Sequence, residues 1–271
     1  MSFRSDLGRA ARAFPTMLRV GFAEVVAYRA EFFVWVLAYT MPLIMLALWT
    51  AVAREAPVGR FGEAEFSAYF LASLLVRLGT ASWVVWQLNM EIRQGSLAQR
   101  LLRPIHPVLA YASESLAAIP MRILVASPIA LASLWWLGLG AVTHEPELWL
   151  VIVFALFGTW ALNFLVMTFI GSLGFLFESS LAIFDVWVGL YMVLSGYVMP
   201  LELFPASMLP VVEVLPFRFM LAFPVEAMTG LLTAERAWSL LLGQFVWILA
   251  FLGLTLLSWS RGIKKFAAFG G

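Results

Sequence analysis

The chain contains 271 residues, of which 63% are apolar and only 12% are charged. Soluble domains carry about 45–50% apolar and about 25% charged residues, so a soluble fold of this length could not bury so much apolar surface. The net charge of +1 argues against a nucleic-acid partner, because phosphate recognition needs clustered cations. The absence of cysteine excludes disulfide bonds and thiolate metal sites.

Runs of uncharged residues predict an all-α membrane bundle with six transmembrane helices. A helix that rises about 1.5 Å per residue needs roughly 20 apolar residues to cross a hydrocarbon core of about 30 Å. The predicted spans lie near residues 32–53, 66–90, 115–143, 148–177, 179–201 and 237–260. The fifth reaches spanning length only if it carries Asp185 inward. We therefore expect a single transmembrane domain over residues 1–271.

Basic residues are distributed unequally between the two sides that six spans define. The side with both termini and the two even-numbered loops carries eleven: Arg4, Arg9, Arg12, Arg19, Arg29, Arg93, Arg100, Arg103, Arg261, Lys264 and Lys265. The other side carries four: Arg54, Arg60, Arg218 and Arg236. Because cytoplasmic loops are enriched in Lys and Arg, this asymmetry predicts that both termini are cytoplasmic.

Residues 1–31 are predicted to form an amphipathic helix before the first span. Leu7, Phe14 and Leu18 recur at near-helical spacing on one face, and Arg9 and Arg19 lie on the other. Such a helix lies in the membrane interface with its apolar side toward lipid. A soluble helix packed on a partner protein is the alternative interpretation.

The predicted exterior loop at residues 201–236 combines apolar side chains with repeated prolines: Pro205, Pro210, Pro216 and Pro224. Prolines interrupt helices, and the apolar side chains between them need contact with lipid or protein. The segment is therefore predicted to form short re-entrant helices, whose backbone ends must be buried in protein. A cap that covers the bundle from outside is the alternative.

Three charged residues fall inside predicted spans, namely Arg77, Arg122 and Asp185. A charge at membrane depth costs about 2.5–3.5 kcal/mol or more on insertion scales, so a partner is expected. Arg122 and Asp185 lie at similar depth near the cytoplasmic ends of their spans, which suggests an ion pair. The alternative is that Arg122 extends to the lipid headgroups. Arg77 lies near mid-span and is predicted to face a wet pathway or a second permease chain.

Signatures of a catalytic or cofactor site are missing from the sequence. The P-loop pattern Gly-x-x-x-x-Gly-Lys, the hydrolase pattern Gly-x-Ser-x-Gly and the zinc pattern His-Glu-x-x-His do not occur. The two histidines are too few for a structural zinc site in a chain without cysteine. We therefore expect no catalytic residue, cofactor or metal ion in this chain.

The predicted cytoplasmic segment at residues 91–107 reads EIRQGSLAQRLLRPIHP. It is predicted to be helical up to Arg103, with Leu97 and Leu101 adjacent at i, i+4 as a small apolar surface. Pro104 ends the helix, because the residue before a proline avoids helical geometry. By itself this pattern indicates an amphipathic loop helix with a passive interfacial role.

The same segment carries a family resemblance. Gly95-Ser96-Leu97 followed by Leu101-Leu102-Arg103-Pro104-x-x-Pro107 resembles the first large cytoplasmic loop of type-2 ATP-binding-cassette (ABC) transporter permeases. Tyr28-Arg29-Ala30 and the Ser195–Pro200 run before the proline-rich loop also match that family. The resemblance assigns coupling to a separate ATPase to Glu91, Arg93, Gly95, Leu97, Arg100, Leu101, Leu102, Arg103 and Pro104.

The resemblance also implies partners and a location. It implies a bacterial inner-membrane exporter subunit, in contact with membrane lipid, that moves a lipid, glycan, drug or peptide-like substrate. Two copies of a soluble nucleotide-binding subunit would hold ATP and magnesium, and a second permease chain would complete a homodimer or heterodimer. The alternatives are a secondary transporter driven by an ion gradient, which intramembrane acids and inverted repeats would favour, and a membrane scaffold without transport.

Overall fold

The computed structural model describes residues 3–28, 40–137, 140, 142–177 and 180–266, with side chains from residue 12 onward. Its helices in chain order are α1 Phe3–Ala27, α2 Met41–Glu55, α3 Glu63–Thr80, α4 Val84–Gln94, α5 Leu97–Leu101, α6 Pro107–Ala117, α7 Ile119–Leu137, α8 Pro146–Ser172, α9 Leu181–Leu194, α10 Leu209–Val214, α11 Pro216–Met220, α12 Ala222–Met228 and α13 Ala234–Gly262. Two 3₁₀ turns lie at Leu173–Phe175 and Leu201–Leu203. Apart from one isolated bridge, these residues contain no β-structure, which confirms the predicted all-helical class.

Helix α8 lies at the centre of the bundle and packs against α13, α4, α12, α3 and α11. Its sequence is apolar all round, which is typical of a helix surrounded by protein. Gly171 allows α4 to approach closely, since a Cβ there would lie 3.1 Å from Cδ2 of Leu88. The outward faces of α7, α9 and α13 expose large apolar side chains such as Trp135, Val186 and Leu242, which suit contact with lipid.

Four helical segments are long and apolar enough to cross a membrane: Glu63–Gln94, Pro107–Leu137, Pro146–Phe175 and Ala234–Gly262. They correspond to the second, third, fourth and sixth predicted spans. Only α2 of the first predicted span is described, because residues 29–39 lie outside the described residues. The fifth predicted span contains α9, an apolar helix of 14 residues. The count of six spans stays a prediction.

The predicted span near residues 66–90 is not one continuous helix. Helix α3 ends at Thr80 and α4 begins at Val84, and Ala81 between them is extended (φ −62°, ψ 147°). A backbone group freed at membrane depth must be satisfied within the protein. Arg122 of α7 does this for the Ala81 carbonyl oxygen, to which its Nη1 donates a hydrogen bond. Hydropathy could not reveal the break, because residues 81–83 carry no charge.

The N-terminal helix α1 packs against α6. The two helices are closest at Gly21, where an added Cβ would lie only 2.8 Å from Cβ of Ala117. Phe14 is half-buried and Arg19 is exposed, which follows the amphipathic pattern of the sequence. The placement of this helix in the membrane interface stays a prediction.

The proline-rich loop at residues 201–236 contains the short helices α10, α11 and α12. Residues 216–227 are buried, and α12 packs against α8 and α3. Arg218 holds the short helices together, with its Nη1 2.9 Å from Oε1 of Glu213 and its Nη2 2.7 Å from Oε2 of Glu226. The segment is therefore part of the protein core, and its re-entry into the membrane stays a prediction.

A buried glutamine fastens the broken backbone between α11 and α12 to the central helix. Nε2 of Gln244 on α13 lies 3.0 Å from the Phe219 carbonyl oxygen, 3.1 Å from Oγ1 of Thr159 and 3.2 Å from the Ala155 carbonyl oxygen. Gly158 leaves the space for this amide, because a Cβ at that position would overlap its Oε1. Buried polar groups are thus satisfied across three elements.

Candidate functional site

The 91–107 segment turns sharply at Gly95. Helix α4 ends at Gln94, and Gly95 adopts a left-handed conformation with φ 72° before α5 begins at Leu97. Glycine favours this conformation because it lacks a Cβ. The prediction of one unbroken helix up to Arg103 is therefore wrong, and the turn gives α5 a direction of its own.

Partly buried charges hold α5 against its neighbours. Nε of Arg100 lies 2.8 Å from Oε2 of Glu91 on α4, and its Nη1 lies 2.6 Å from Oε1 of Glu114 on α6. The hydroxyl of Tyr111 donates to Glu91, and the guanidinium carbon of Arg100 lies 4.4 Å from the centroid of the Tyr111 ring. Gln87 donates to Glu114 at 3.0 Å. These five residues, the Arg100 network, join three helices.

The Arg100 network fixes a charge inside the fold. Burial opposes the charged form of Arg100, but the hydrogen-bonded Glu114 carboxylate and the nearby Glu91 carboxylate outweigh it and raise the pKa of Arg100 above its ordinary value. The guanidinium stays protonated at every physiological pH. Two of the predicted coupling residues, Glu91 and Arg100, therefore pair with each other and with α6 rather than presenting free charge.

The leucines of the segment divide between core and surface. Leu97 is fully buried, Leu101 is half-buried against the core, and Leu102 is 87% exposed. The expected surface pair of Leu97 and Leu101 is therefore wrong, because the turn before α5 directs Leu97 into the bundle. The exposed surface includes instead residues 102–104, which we call the exposed tip, and Arg93, Gln94 and Gln99 are exposed as well.

Arg77 projects from α3 onto two aromatic rings. Its guanidinium carbon lies 5.1 Å from the centroid of Tyr191 on α9 and 5.4 Å from that of Tyr197 in the loop after α9. Such cation–π contacts contribute about 2 kcal/mol when the groups are desolvated. All three residues line a cavity of about 300 Å³ beside the break between α3 and α4.

Arg122 and Asp185 are not brought together. Arg122 is buried and donates to the Ala81 carbonyl oxygen, as described above. Asp185 lies on α9 with an exposed side chain. The ion pairs of the described residues do not join the two, so the hypothesised pair is not formed in this structure.

Several residues at these two sites were missed in the sequence. Glu114 and Tyr111 complete the Arg100 network, and Tyr191 and Tyr197 hold Arg77. Glu114 carried a usable signal, since it is a lone acid at the edge of a long apolar segment. The two tyrosines carried no such signal, because a tyrosine in a membrane segment is often an ordinary packing residue.

Among the described residues, no group of three or more His, Asp or Glu side chains could hold a metal ion. A comparison with curated proteins finds no match. The family model for ABC-2 family transporter proteins matches residues 25–270, which include the 91–107 segment, Arg77, Arg122 and the proline-rich loop. The match covers most of the chain and confirms the resemblance, and the chain therefore belongs to the ABC-2 family of membrane transporter proteins.

Proposed function

We propose that this chain is the transmembrane permease subunit of an ATP-driven exporter in a bacterial inner membrane. Membership of the ABC-2 family supports the transport role. The excess of basic residues on one side supports cytoplasmic termini. The substrate is a lipid, glycan, drug or peptide-like molecule, and a second permease chain, identical or related, forms the pathway with this one.

The energy source in this proposal is a separate subunit. The sequence contains no P-loop, so ATP and magnesium are held by a soluble nucleotide-binding partner, present in two copies. That partner must contact the permease on the side where the termini lie, because nucleotide is cytoplasmic. The 91–107 segment is on that side in the predicted topology.

The exposed tip is the observation that carries the docking proposal. Leu102 is 87% exposed, and Arg103 and Pro104 beside it are exposed as well. A rigid support lies directly behind them, since the Arg100 network ties α5 to α4 and α6. An apolar side chain flanked by a cation on a rigid turn fits a groove that offers an apolar pocket and a carboxylate. Force applied at the tip reaches the second and third predicted spans through the Arg100 network.

Docking is tested by co-purification with a soluble nucleotide-binding subunit, sought first among the products of genes adjacent to this one. The double variant Leu102→Asp with Arg103→Glu should reduce co-purification at least about tenfold, because it buries a charge and reverses another. The double variant Leu102→Met with Arg103→Lys is the matched control and should retain association. ATP hydrolysis by the reconstituted complex should follow the same order.

Two outcomes would overturn the proposal. Unchanged association of the charge-reversing variant would remove the tip from the interface. Substrate movement in vesicles that contain the permease alone, driven by an ion gradient, would favour the secondary-transporter alternative. The substitutions at the tip should leave the bundle folded, because the side chains of Leu102 and Arg103 are exposed.

Topology is tested separately, since the chain contains no cysteine. Single cysteines at Gly62, Glu145 and Ala206 should react with an impermeant reagent in intact cells, whereas cysteines at Ser96 and Lys264 should not. Labelling at Ser96 would invert the proposed orientation. Outside labelling at both Glu145 and Ala206 requires two crossings between them, so the same experiment also tests the fifth span.

A further inference from the structure

The cavity beside the α3–α4 break contains hydrogen-bonding groups that the described part of the chain leaves unsatisfied. Oγ of Ser82, Nε1 of Trp187 and the hydroxyl of Tyr191 are buried and have no hydrogen-bond partner among the described residues. All three residues line the cavity, and Tyr191 is only 5% exposed. Buried polar groups in proteins are nearly always bonded to protein, water or ligand. Three residues with unsatisfied donors in the wall of one cavity indicate where a polar ligand binds.

Two features make this cavity favourable for negative charge. The Arg77 guanidinium lines it and is held there by the rings of Tyr191 and Tyr197. Helix α4 begins at Val84, directly after the lining residues Ser82 and Trp83, so the positive end of its dipole lies at the cavity wall. The described lining residues include no carboxylate. An anion is therefore favoured there over a cation or a neutral group.

Apart from the amide side chain of Asn163, the remainder of the wall is mostly apolar. Phe184, Val188 and Met192 line the cavity from successive turns of α9, and Met41 and Met220 line it from α2 and α11. The opposite face of α9 carries exposed apolar side chains, such as Val186, that suit lipid. A volume of about 300 Å³ accommodates a headgroup with the beginning of an alkyl chain, near the lower end of ligand-pocket sizes.

We propose that this cavity binds an amphiphile through an anionic oxygen group, a phosphate or a carboxylate, with Arg77 as its charge partner. Ser82, Trp187 and Tyr191 donate hydrogen bonds to the same group, and the methionines and Phe184 contact the apolar chain. The proposal that such a molecule binds here depends only on the features of the cavity. That such amphiphiles are the transported substrates rests on the proposed function.

The probe for this site is radiolabelled dodecyl phosphate, added to the purified full-length chain in an uncharged maltoside detergent. Binding should be saturable, with one site per chain. Unlabelled laurate should compete, and the cation dodecyltrimethylammonium should not. Equal competition by inorganic phosphate at the same concentration would show a free-anion site and overturn the amphiphile assignment.

Two variants locate the site. Arg77→Gln should weaken dodecyl phosphate binding about tenfold to a hundredfold, because charged hydrogen bonds are lost. Val188→Trp keeps Arg77 and fills the cavity, and it should abolish binding in a chain that still elutes as a single species. Arg54→Gln is the matched control, since Arg54 is an exposed arginine paired with Glu63 outside the cavity, and it should bind as the natural chain does.

The outcomes separate this inference from the proposed function. Undiminished binding by Arg77→Gln and Val188→Trp, or equal competition by dodecyltrimethylammonium, would overturn the site. The assay contains no ATPase, so failure of docking at the exposed tip leaves its result unchanged. Conversely, loss of the site leaves co-purification with the ATPase intact.

Discussion

Two arginines lie within long apolar segments of this chain, and the structure gives them different surroundings. Arg122 is buried, 8% exposed, and donates to the carbonyl oxygen of Ala81 where the helix is broken. Arg77 lies four residues before the same break, yet its guanidinium rests on Tyr191 and Tyr197 and lines a cavity. One arginine supports the backbone, and the other is placed to meet a ligand. The role of a charged side chain within the membrane therefore follows from the groups that it contacts and not from its depth.

The largest expected effect follows from removing the structural arginine. Arg122→Ala leaves the Ala81 carbonyl oxygen without this donor and vacates buried space, which should lower the free energy of unfolding by about 2–4 kcal/mol. Thermal melting in detergent, followed by size-exclusion chromatography, measures the change. Arg54→Ala removes an exposed ion pair and should cost about 1 kcal/mol or less. Equal stability of the two variants would remove the distinction between the arginines.

Gly158→Ala tests whether Gln244, which binds the interrupted backbone at Phe219, has a structural role like that of Arg122. The added Cβ would displace the Gln244 amide from Phe219, Thr159 and Ala155, so destabilisation of about 1–3 kcal/mol is expected. Gly189→Ala is the matched control, because a Cβ there meets nothing within 4 Å. The same melting assay compares them, and an unaffected Gly158→Ala would show that Gln244 can move at no cost.

Arg77→Gln should change stability by about 1 kcal/mol or less, since the lost cation–π contact is offset by removal of a partly buried charge. Together with the loss of ligand binding expected above, this gives the reverse of the pattern for Arg122. Melting temperature and binding are measured on the same preparation. A loss of stability as large as that of Arg122→Ala would make Arg77 a structural residue.

The smallest expected effect is a coupling energy near zero between Arg122 and Asp185. The two are not joined in the structure, so the stability changes of Arg122→Ala and Asp185→Ala should add within about 0.5 kcal/mol in the double variant. A double-mutant cycle in the melting assay measures this sum. A coupling energy above about 1 kcal/mol would restore the ion pair that similar depth had suggested.

The 91–107 segment shows where reasoning from the sequence stops. Spacing placed Leu97 and Leu101 on one face, which is correct for a continuous helix. Gly95 ends α4 in a left-handed turn, and Leu97 then points into the core while Leu102 is exposed. Glycine in a loop is compatible with several turns, so the sequence could not select one. Glu114, on the next helix and 14 residues further along the chain, stabilises the observed turn by pairing with Arg100.

The sequence by itself determined the membrane character, the helical class, the approximate position of the four long apolar segments and the family. Each of these depends on composition, on run length against bilayer thickness, or on a local motif, and none requires knowing which helices touch. Only the tertiary structure decided the break at residues 81–83, the Arg100 network, and the different surroundings of Arg77 and Arg122. These depend on contacts between different helices. Arg122 binds a backbone carbonyl oxygen and Arg77 contacts two aromatic rings, and the sequence does not indicate which helices bring these groups together.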